Sequence, residues 1–255
     1  MKISIVTATY NCVSSLPDCL GSVAAQSHPS VEHLLIDGAS TDGTLELLQR
    51  YSEQASARVA LVREPDHGIY DALNKGLARA TGELVGVLHG DDAFADAEVL
   101  AAIVGAFADP NVHAVYGDLE YVAQDNPNQV IRYWRAGPFL PARLRYGWMP
   151  PHPTLFLRRS LYERFGVFDT KYYIAADYDF MLRVLKHLTP EQVAYIPRVF
   201  TRMRTGGKSN RSLSNVARKS REDYRALRSN RVGGLSALFL KNACKLPQFW
   251  QRSPR

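Results

Sequence analysis

Cysteine is scarce in this 255-residue sequence and shows no pairing pattern: Cys12, Cys19 and Cys244 are odd in number and form no C-x-x-C. That argues against a disulfide framework or a zinc site and for a reducing compartment. Long hydrophobic runs are missing too, so no segment reaches transmembrane length. The opening Met1-Lys2-Ile3-Ser4-Ile5-Val6 has one positive charge and a brief apolar stretch, without the h-region or cleavage site of a signal peptide. The expected location is cytoplasmic. No G-x-G-x-x-G follows the first apolar run, which disfavours a dinucleotide site, and no G-x-x-x-x-G-K-[ST] exists for a P-loop. There is no internal repeat and no low-complexity tract.

Acidic side chains run out towards the C-terminus. Residues 198–255 carry 15 Lys and Arg against 2 Asp and Glu, whereas residues 1–197 carry 16 against 23. A mildly acidic body with a strongly basic tail points to an anionic partner surface, either lipid headgroups or nucleic acid. The remaining composition is ordinary for a folded soluble chain, at 46% hydrophobic and 22% charged. Its length suffices for one large α/β domain, alone or with an appendage.

Short β-like runs alternate with helical patterns over the first ninety residues. Lys2–Thr7, Val31–Ile36, Val59–Val62 and Leu84–Leu88 read as strands. Between them, helical spacing follows Pro17, spans Leu45, Leu47 and Leu48, with Thr41 or Asp42 as cap, and covers Ile69–Ala80. Such alternation predicts βαβ units and a largely parallel sheet. Beyond residue 92 the expected elements are a helix at Asp96–Phe107, a strand at Val112–Val115 and a hairpin within Tyr121–Tyr133. A strand at Thr154–Leu157, a helix at Ala176–His187 and a strand at Val193–Thr201 follow. Two tail helices close the pattern, near Leu213–Arg228 and Leu235–Lys245.

The most informative stretch is L-V-G-V-L-H-G-D-D at residues 84–92. It ends a strand-like run in two adjacent carboxylates, Asp91 and Asp92, at the edge where open α/β sheets bind ligands. Two such carboxylates repel unless a cation separates them, and Mg²⁺ or Mn²⁺ carrying a nucleotide diphosphate fits. A solvated Asp-Asp turn capping the next helix fits this segment equally well. The other strand ends carry polar groups in register: Thr9-Tyr10-Asn11, then Asp37, then Asp66. Asp118, after Tyr116-Gly117, reads as a turn residue, with a place facing the acceptor as the weaker alternative.

These residues fall within a recognisable set of motifs. They are S-I-V-T-A-T-Y-N at 4–11, I-D-G-A-S-T-D-G-T at 36–44, E-P-D-H-G-I-Y-D-A-L-N-K-G at 64–76 and H-G-D-D at 89–92. P-H-P-T at 151–154 and A-A-D-Y-D at 175–179 continue the series. Together they resemble a family 2 glycosyltransferase with the GT-A nucleotide-diphospho-sugar transferase fold, an α/β fold with a mostly parallel central sheet. The resemblance covers about residues 1–207, divided into a nucleotide-sugar half at 1–117 and an acceptor half at 118–207. A basic helical tail at 208–255 lies outside it.

The resemblance implies that Asp37 and Asp66 hold the donor's base and ribose. Thr7, Ala8, Thr9, Tyr10 and Asn11 would line that pocket, with Lys75 and Asp91 beside it. Asp92 would be the ligand of Mg²⁺ or Mn²⁺. Asp177 falls at the position of the general base, although Ala176 replaces the Glu that normally precedes it, and Asp179 offers a competing carboxylate. His152, Arg204 and Lys208 would approach the diphosphate or the acceptor. The implied reaction moves a sugar, from UDP by default, to a hydroxyl of a glycan or lipid-linked acceptor with inversion. A nucleotidyltransferase is an alternative within enzymes, but residues 7–11 lack a cation to grip triphosphate. An inactive sugar-nucleotide sensor is hinted at by Ala176 alone.

In the tail, Leu235, Leu238, Phe239, Leu246, Phe249 and Trp250 mix with Lys241, Lys245 and Arg252. That composition suits a helix in a membrane interface, placing the chain peripherally on the inner face of the cytoplasmic membrane. Packing of these apolar residues on the catalytic domain is the competing reading. No nucleic acid is expected, since the acidic body repels a polyanion.

Overall fold

The computed structural model describes residues 1–55, 57–206 and 213–243. Its first half alternates β1 (Ile3–Thr9), α1 (Leu16–Ala24), β2 (Val31–Asp37), α2 (Thr44–Gln54), β3 (Arg58–Arg63), α3 (Ile69–Leu77) and β4 (Leu84–Val87). Then come β5 (Ala93–Phe94), α4 (Val99–Ala106), β6 (Ala114–Val122), β7 (Val130–Trp134), β8 (Phe156–Arg158) and α5 (Arg159–Phe165). The chain continues through α6 (Ala176–Leu185), β9 (Val193–Arg204), α7 (Leu213–Ser229) and α8 (Leu235–Ala243).

One sheet runs in the order β3-β2-β1-β4-β8-β6-β9-β5, with β7 paired to β6. The βαβ half is parallel as expected. Past β4 the sheet is mixed, because β8 lies antiparallel to both β4 and β6. β1 extends two residues beyond its expected end, which brings Thr9 level with Asp37 on β2.

Strand periodicity divides the core between the two faces of the sheet. Ile3 and Ile5 of β1 join Leu16, Leu20, Leu48 and Phe107 beneath α1, α2 and α4. Val6 and Ala8 join Leu73, Leu77, Tyr178 and Leu182 beneath α3 and α6. Gly86 on β4 sits directly under the Phe156 ring, where an added Cβ would meet a ring carbon at 2.1 Å.

β6 spans 114–122, so a division at 117/118 would cut a strand. Asp118 is therefore no turn residue: it is buried, and its carboxylate accepts hydrogen bonds from the Ala136 N–H (2.8 Å), the Tyr195 hydroxyl (2.8 Å) and the Tyr133 hydroxyl. The described helices α7 and α8 are joined to the domain by their buried side chains. Ala226, Leu227 and Ala237 are fully buried in the cluster that holds α6, and Asp223 pairs with Lys241 at 2.7 Å in the interior. Among the described residues Ala226, Leu227 and Ala237 pack on the domain and Leu238 against it, whereas Leu235 and Phe239 are exposed; Lys245, Leu246, Phe249, Trp250 and Arg252 lie outside the described residues.

Candidate active site

The carboxyl ends of β1, β2, β3 and β4 form one edge, as parallel βαβ units require. At its centre Asp37 is fully buried. Its carboxylate accepts from the Ser40 N–H (3.0 Å), the Ser40 hydroxyl (2.5 Å) and the Thr9 hydroxyl (3.2 Å). The loop after β1 is locked to the same turn: the Asn11 N–H donates to Ser40 Oγ, and the Thr41 N–H to Asn11 Oδ1. Both loops hold a non-glycine residue in the left-handed region, Asn11 at φ 47° and Ala39 at φ 63°. Strained conformations of this kind persist where the surroundings over-determine them, and they cluster at ligand sites.

Asp66 reaches into this group through Gly38, whose Cβ, if present, would stand 2.2 Å from Asp66 Oδ2. The same virtual atom lies 3.4 Å from the ring of Tyr10, which is 57% exposed. Asp66, Gly38 and Tyr10 thus meet at one point of the edge. Asp42, expected as a helix cap, accepts from the Thr44 N–H and the Val13 N–H, tying α2 to the loop before α1.

Two expected pocket residues do not join. Thr7 faces the α2 side of the sheet and is fully buried, its hydroxyl 3.0 Å from His33 Nε2. The two-residue strand period decides this, since Thr7 points away from the face of Ala8. Lys75 holds the β3–α3 loop, donating to the Pro65 carbonyl (2.6 Å) and pairing with Asp71 (3.2 Å). It supports the turn bearing Asp66 instead of facing the edge.

Beyond β4, Asp91 is exposed and Asp92 is buried. Asp92 Oδ1 accepts from the Arg204 N–H at 3.3 Å, while Oδ2 is buried without a hydrogen-bond partner. Burial, reinforced by Asp91, pushes the Asp92 carboxyl well above the ordinary carboxylate range. An orphaned buried oxygen beside a second carboxylate is the hard donor set that a divalent cation satisfies. No cluster of three acidic, His or Cys side chains could hold a metal alone among the described residues. The residues fit a cation shared with a ligand's phosphate oxygens. Arg204 is committed elsewhere: its guanidinium pairs with Asp18 and donates to the Gln124 and Asp91 carbonyls. It fastens β9 to the Asp91–Asp92 loop. Lys208 lies outside the described residues.

Asp177 occupies the first turn of α6, part exposed at 18%. Oδ1 lies 3.0 Å from the Tyr70 hydroxyl, whose one proton is shared with the Ile174 carbonyl at 2.6 Å, and Oδ2 lies 3.2 Å from His152 Nδ1. His152 Nε2 in turn lies 3.0 Å from His89 Nε2. Burial lowers His152 to about 4, so near neutrality its ring is uncharged and Nδ1–H donates. Burial also pushes Asp177 up, but His152, Lys241 and the Tyr70 hydroxyl outweigh it and hold the carboxyl below its ordinary range. The helix dipole acts in the same direction.

Asp179 is excluded as a rival. It is buried, paired with Arg183 at 3.0 Å and hydrogen-bonded to Asn230 Nδ2 at 2.8 Å. Two supporting residues carry no distinguishing mark in the sequence, and a third, Lys241, expected among the membrane-facing cations of the tail, is instead buried against Asp223. Tyr70 lay inside a quoted motif without distinction. Glu222 of α7 accepts the N–H groups of Tyr173, Ile174 and Ala175 at 2.8–3.1 Å, fixing the chain just before Asp177. Lys241 of α8 sits over the Tyr178 ring at 3.3 Å.

Residues 4–173 match the profile described as glycosyl transferase family 2. A "PGL/p-HBAD biosynthesis glycosyltransferase" of Mycobacterium bovis (strain BCG / Pasteur 1173P2) is 34% identical over 181 residues, covering 71% of this chain and 68% of that protein. Among solved structures, S. aureus TarS 1-349 in complex with UDP-GlcNAc superposes with a TM-score of 0.69 at 19% identity. That match covers 91% of this chain and 66% of TarS 1-349. Mannosyltransferase PcManGT from Pyrobaculum calidifontis, in complex with GDP-Man and Mn2+, gives 0.69 at 21% identity over 99% of this chain and 76% of that one. At these identities the structural likeness is one of fold.

Proposed function

The chain belongs to glycosyl transferase family 2, and from that premise we propose that it transfers a sugar from UDP to an acceptor hydroxyl, with Asp177 as general base. The observation that carries this reading is the state of Asp177. It is a part-exposed carboxylate held below its ordinary range by His152, the buried Lys241 and the Tyr70 hydroxyl. A base with that environment accepts a hydroxyl proton as the oxygen attacks the anomeric carbon and the bond to the diphosphate breaks. The nucleotidyltransferase alternative gives way to the family match.

Asp66 and Tyr10 are the groups we assign to the donor's base and ribose. Asp37, enclosed by Thr9 and Ser40, shapes that pocket from below. Asp92, with Asp91, would hold Mg²⁺ or Mn²⁺ on the diphosphate. The cation would neutralise charge on the leaving group when bound. Tyr70 and His152 fix the Asp177 carboxylate towards the acceptor side, and Glu222 fixes its backbone.

The carboxylates around Asp177 among the described residues support direct displacement with inversion. Asp179 is closed by Arg183 and Asn230, which leaves one base and no neighbouring nucleophile. The acceptor we assign is a glycan or lipid-linked hydroxyl, consistent with the basic C-terminal segment. Asp177→Asn should retain donor binding and lose turnover by roughly 10²–10⁴-fold. NMR of the wild-type product should show the anomeric configuration opposite to the donor's. Undiminished turnover by the variant, or a product that retains configuration, would contradict the assignment.

A further inference from the structure

We propose that the outer face of α7 and the start of α8 form a docking surface for an anionic lipid bilayer. Arg218, Arg221, Arg225 and Arg228 recur at intervals of three and four residues, the spacing that places side chains on one helix stripe. All four are exposed, as is Arg231 just beyond the helix. Arg145, from the 3₁₀ turn at Pro141–Tyr146, joins Arg228, Arg231, Val232 and Gly233 around a cleft of about 560 Å³.

The acids of α7 do not neutralise this face. Glu222 is spent on three backbone N–H groups, and Asp223 is buried against Lys241. Among the described residues no carboxylate pairs with Arg145, Arg228 or Arg231. Arg218 and Arg225 are propped on the Tyr173 and Tyr172 rings, at 5.0 and 4.9 Å from the centroids. Folding has thus turned the negative side chains inward and left a band of like charges outside, a surface complementary to a polyanion.

The apolar neighbours choose among polyanions. Leu235 is 72% exposed and Phe239 is 73% exposed, one helical turn apart at the start of α8. Leu235 begins two residues beyond Gly233 of the arginine cleft. A soluble polyanion would occupy the arginines and leave these side chains in water. A bilayer takes headgroup phosphates at the arginines and buries the apolar pair below the headgroups. No helix among the described residues is long and apolar enough to cross a membrane, so the contact is superficial. The same α7 carries Glu222, which fixes the chain before Asp177, so the docked face adjoins the element that positions the base.

Deleting the C-terminal helices would be a poor test, because Ala237 and Lys241 belong to the interior. Point substitutions on the whole chain avoid this. Full-length protein should sediment with phosphatidylcholine vesicles containing phosphatidylglycerol, and far less with phosphatidylcholine alone. Arg228→Gln with Arg231→Gln should weaken partitioning about thirtyfold. Leu235→Ser with Phe239→Ser should weaken it roughly tenfold or more. Both double variants should keep wild-type UDP binding, which reports an intact fold and separates this surface from the donor site. Equal binding to neutral vesicles, no binding to either, or unchanged binding by either variant would overturn the proposal. So would RNA or soluble polyphosphate bound as tightly as anionic vesicles and indifferent to the Leu235 and Phe239 changes.

Discussion

Asp177 and Asp179 stand in the same helical turn and meet opposite fates. Asp179 is closed by Arg183 and Asn230, whereas Asp177 keeps an open side beside Tyr70 and His152. The sequence presents them as equals, since Asn230 is fifty-one residues away and carries no local mark. The hydrogen-bond pattern also orders the two histidines. With His152 uncharged and donating through Nδ1, its Nε2 must accept from His89 Nε2–H. That leaves His89 Nδ1 as an acceptor, and it is buried without a partner. A pH prediction follows. Asp177 is held below its ordinary range, so the base is active above a low pKa and fails only as pH falls through it. Removing His152 as Ala takes away a donor to the carboxylate, so the acid limb of kcat/KM should move up towards neutrality. His152→Gln, which can still donate, should restore it in part. An unmoved limb in His152→Ala would show that His152 does not position the base.

At the scale of elements, the helix that bears the base depends on a helix from the far end of the chain. Glu222 satisfies three N–H groups before α6, where Ala175 offers no side-chain cap. Glu222→Ala should destabilise the fold by about 1–3 kcal/mol and lower Tm by roughly 3–10 °C. It should reduce kcat more than donor affinity; thermal melting with steady-state kinetics checks both. Unchanged melting and turnover would remove Glu222 from the account. The parallel half was legible because β1, β2, β3 and β4 are dense in β-branched and aliphatic residues between turn signals. The rest was not. α5 is short and charged, R-S-L-Y-E-R-F, so no periodicity announces it. β6 hides Asp118, whose partners Tyr133 and Tyr195 come from two other strands. The donor-edge motifs, by contrast, are contiguous in the sequence and therefore legible in it.

Across the whole molecule, two buried groups on β2 tie stability to pH. Burial opposes ionisation of Glu32, yet hydrogen bonds from Lys2, Ser4 and Thr81 hold it down to about 2 from 4.5. A depressed carboxylate contributes stability above pH 4.5, and that contribution disappears as pH falls towards 2. His33, lowered by burial from 6.5 to about 3, is neutral in the fold, so the unfolded chain takes up its proton first. Its contribution is therefore lost as pH drops from 6.5 towards 3, at about 1.4 kcal/mol per pH unit. The contributions of His33 and His152, lowered to about 3 and about 4, should be complete above pH 6.5 and be lost below it. In denaturant unfolding His33→Gln should make the fall between pH 6.5 and 4.5 shallower, His152 supplying part of what remains, and an equally steep fall in that variant would refute the assignment. The central claim, however, concerns the donor edge, and calorimetry addresses it directly. UDP, GDP and dTDP are titrated into the purified chain with and without Mn²⁺, beside Asp92→Ala. UDP should bind in a Mn²⁺-dependent manner, and Asp92→Ala should abolish the dependence and weaken binding. A folded wild-type chain that binds none of the three, or binds them without metal and equally well after Asp92→Ala, would contradict it.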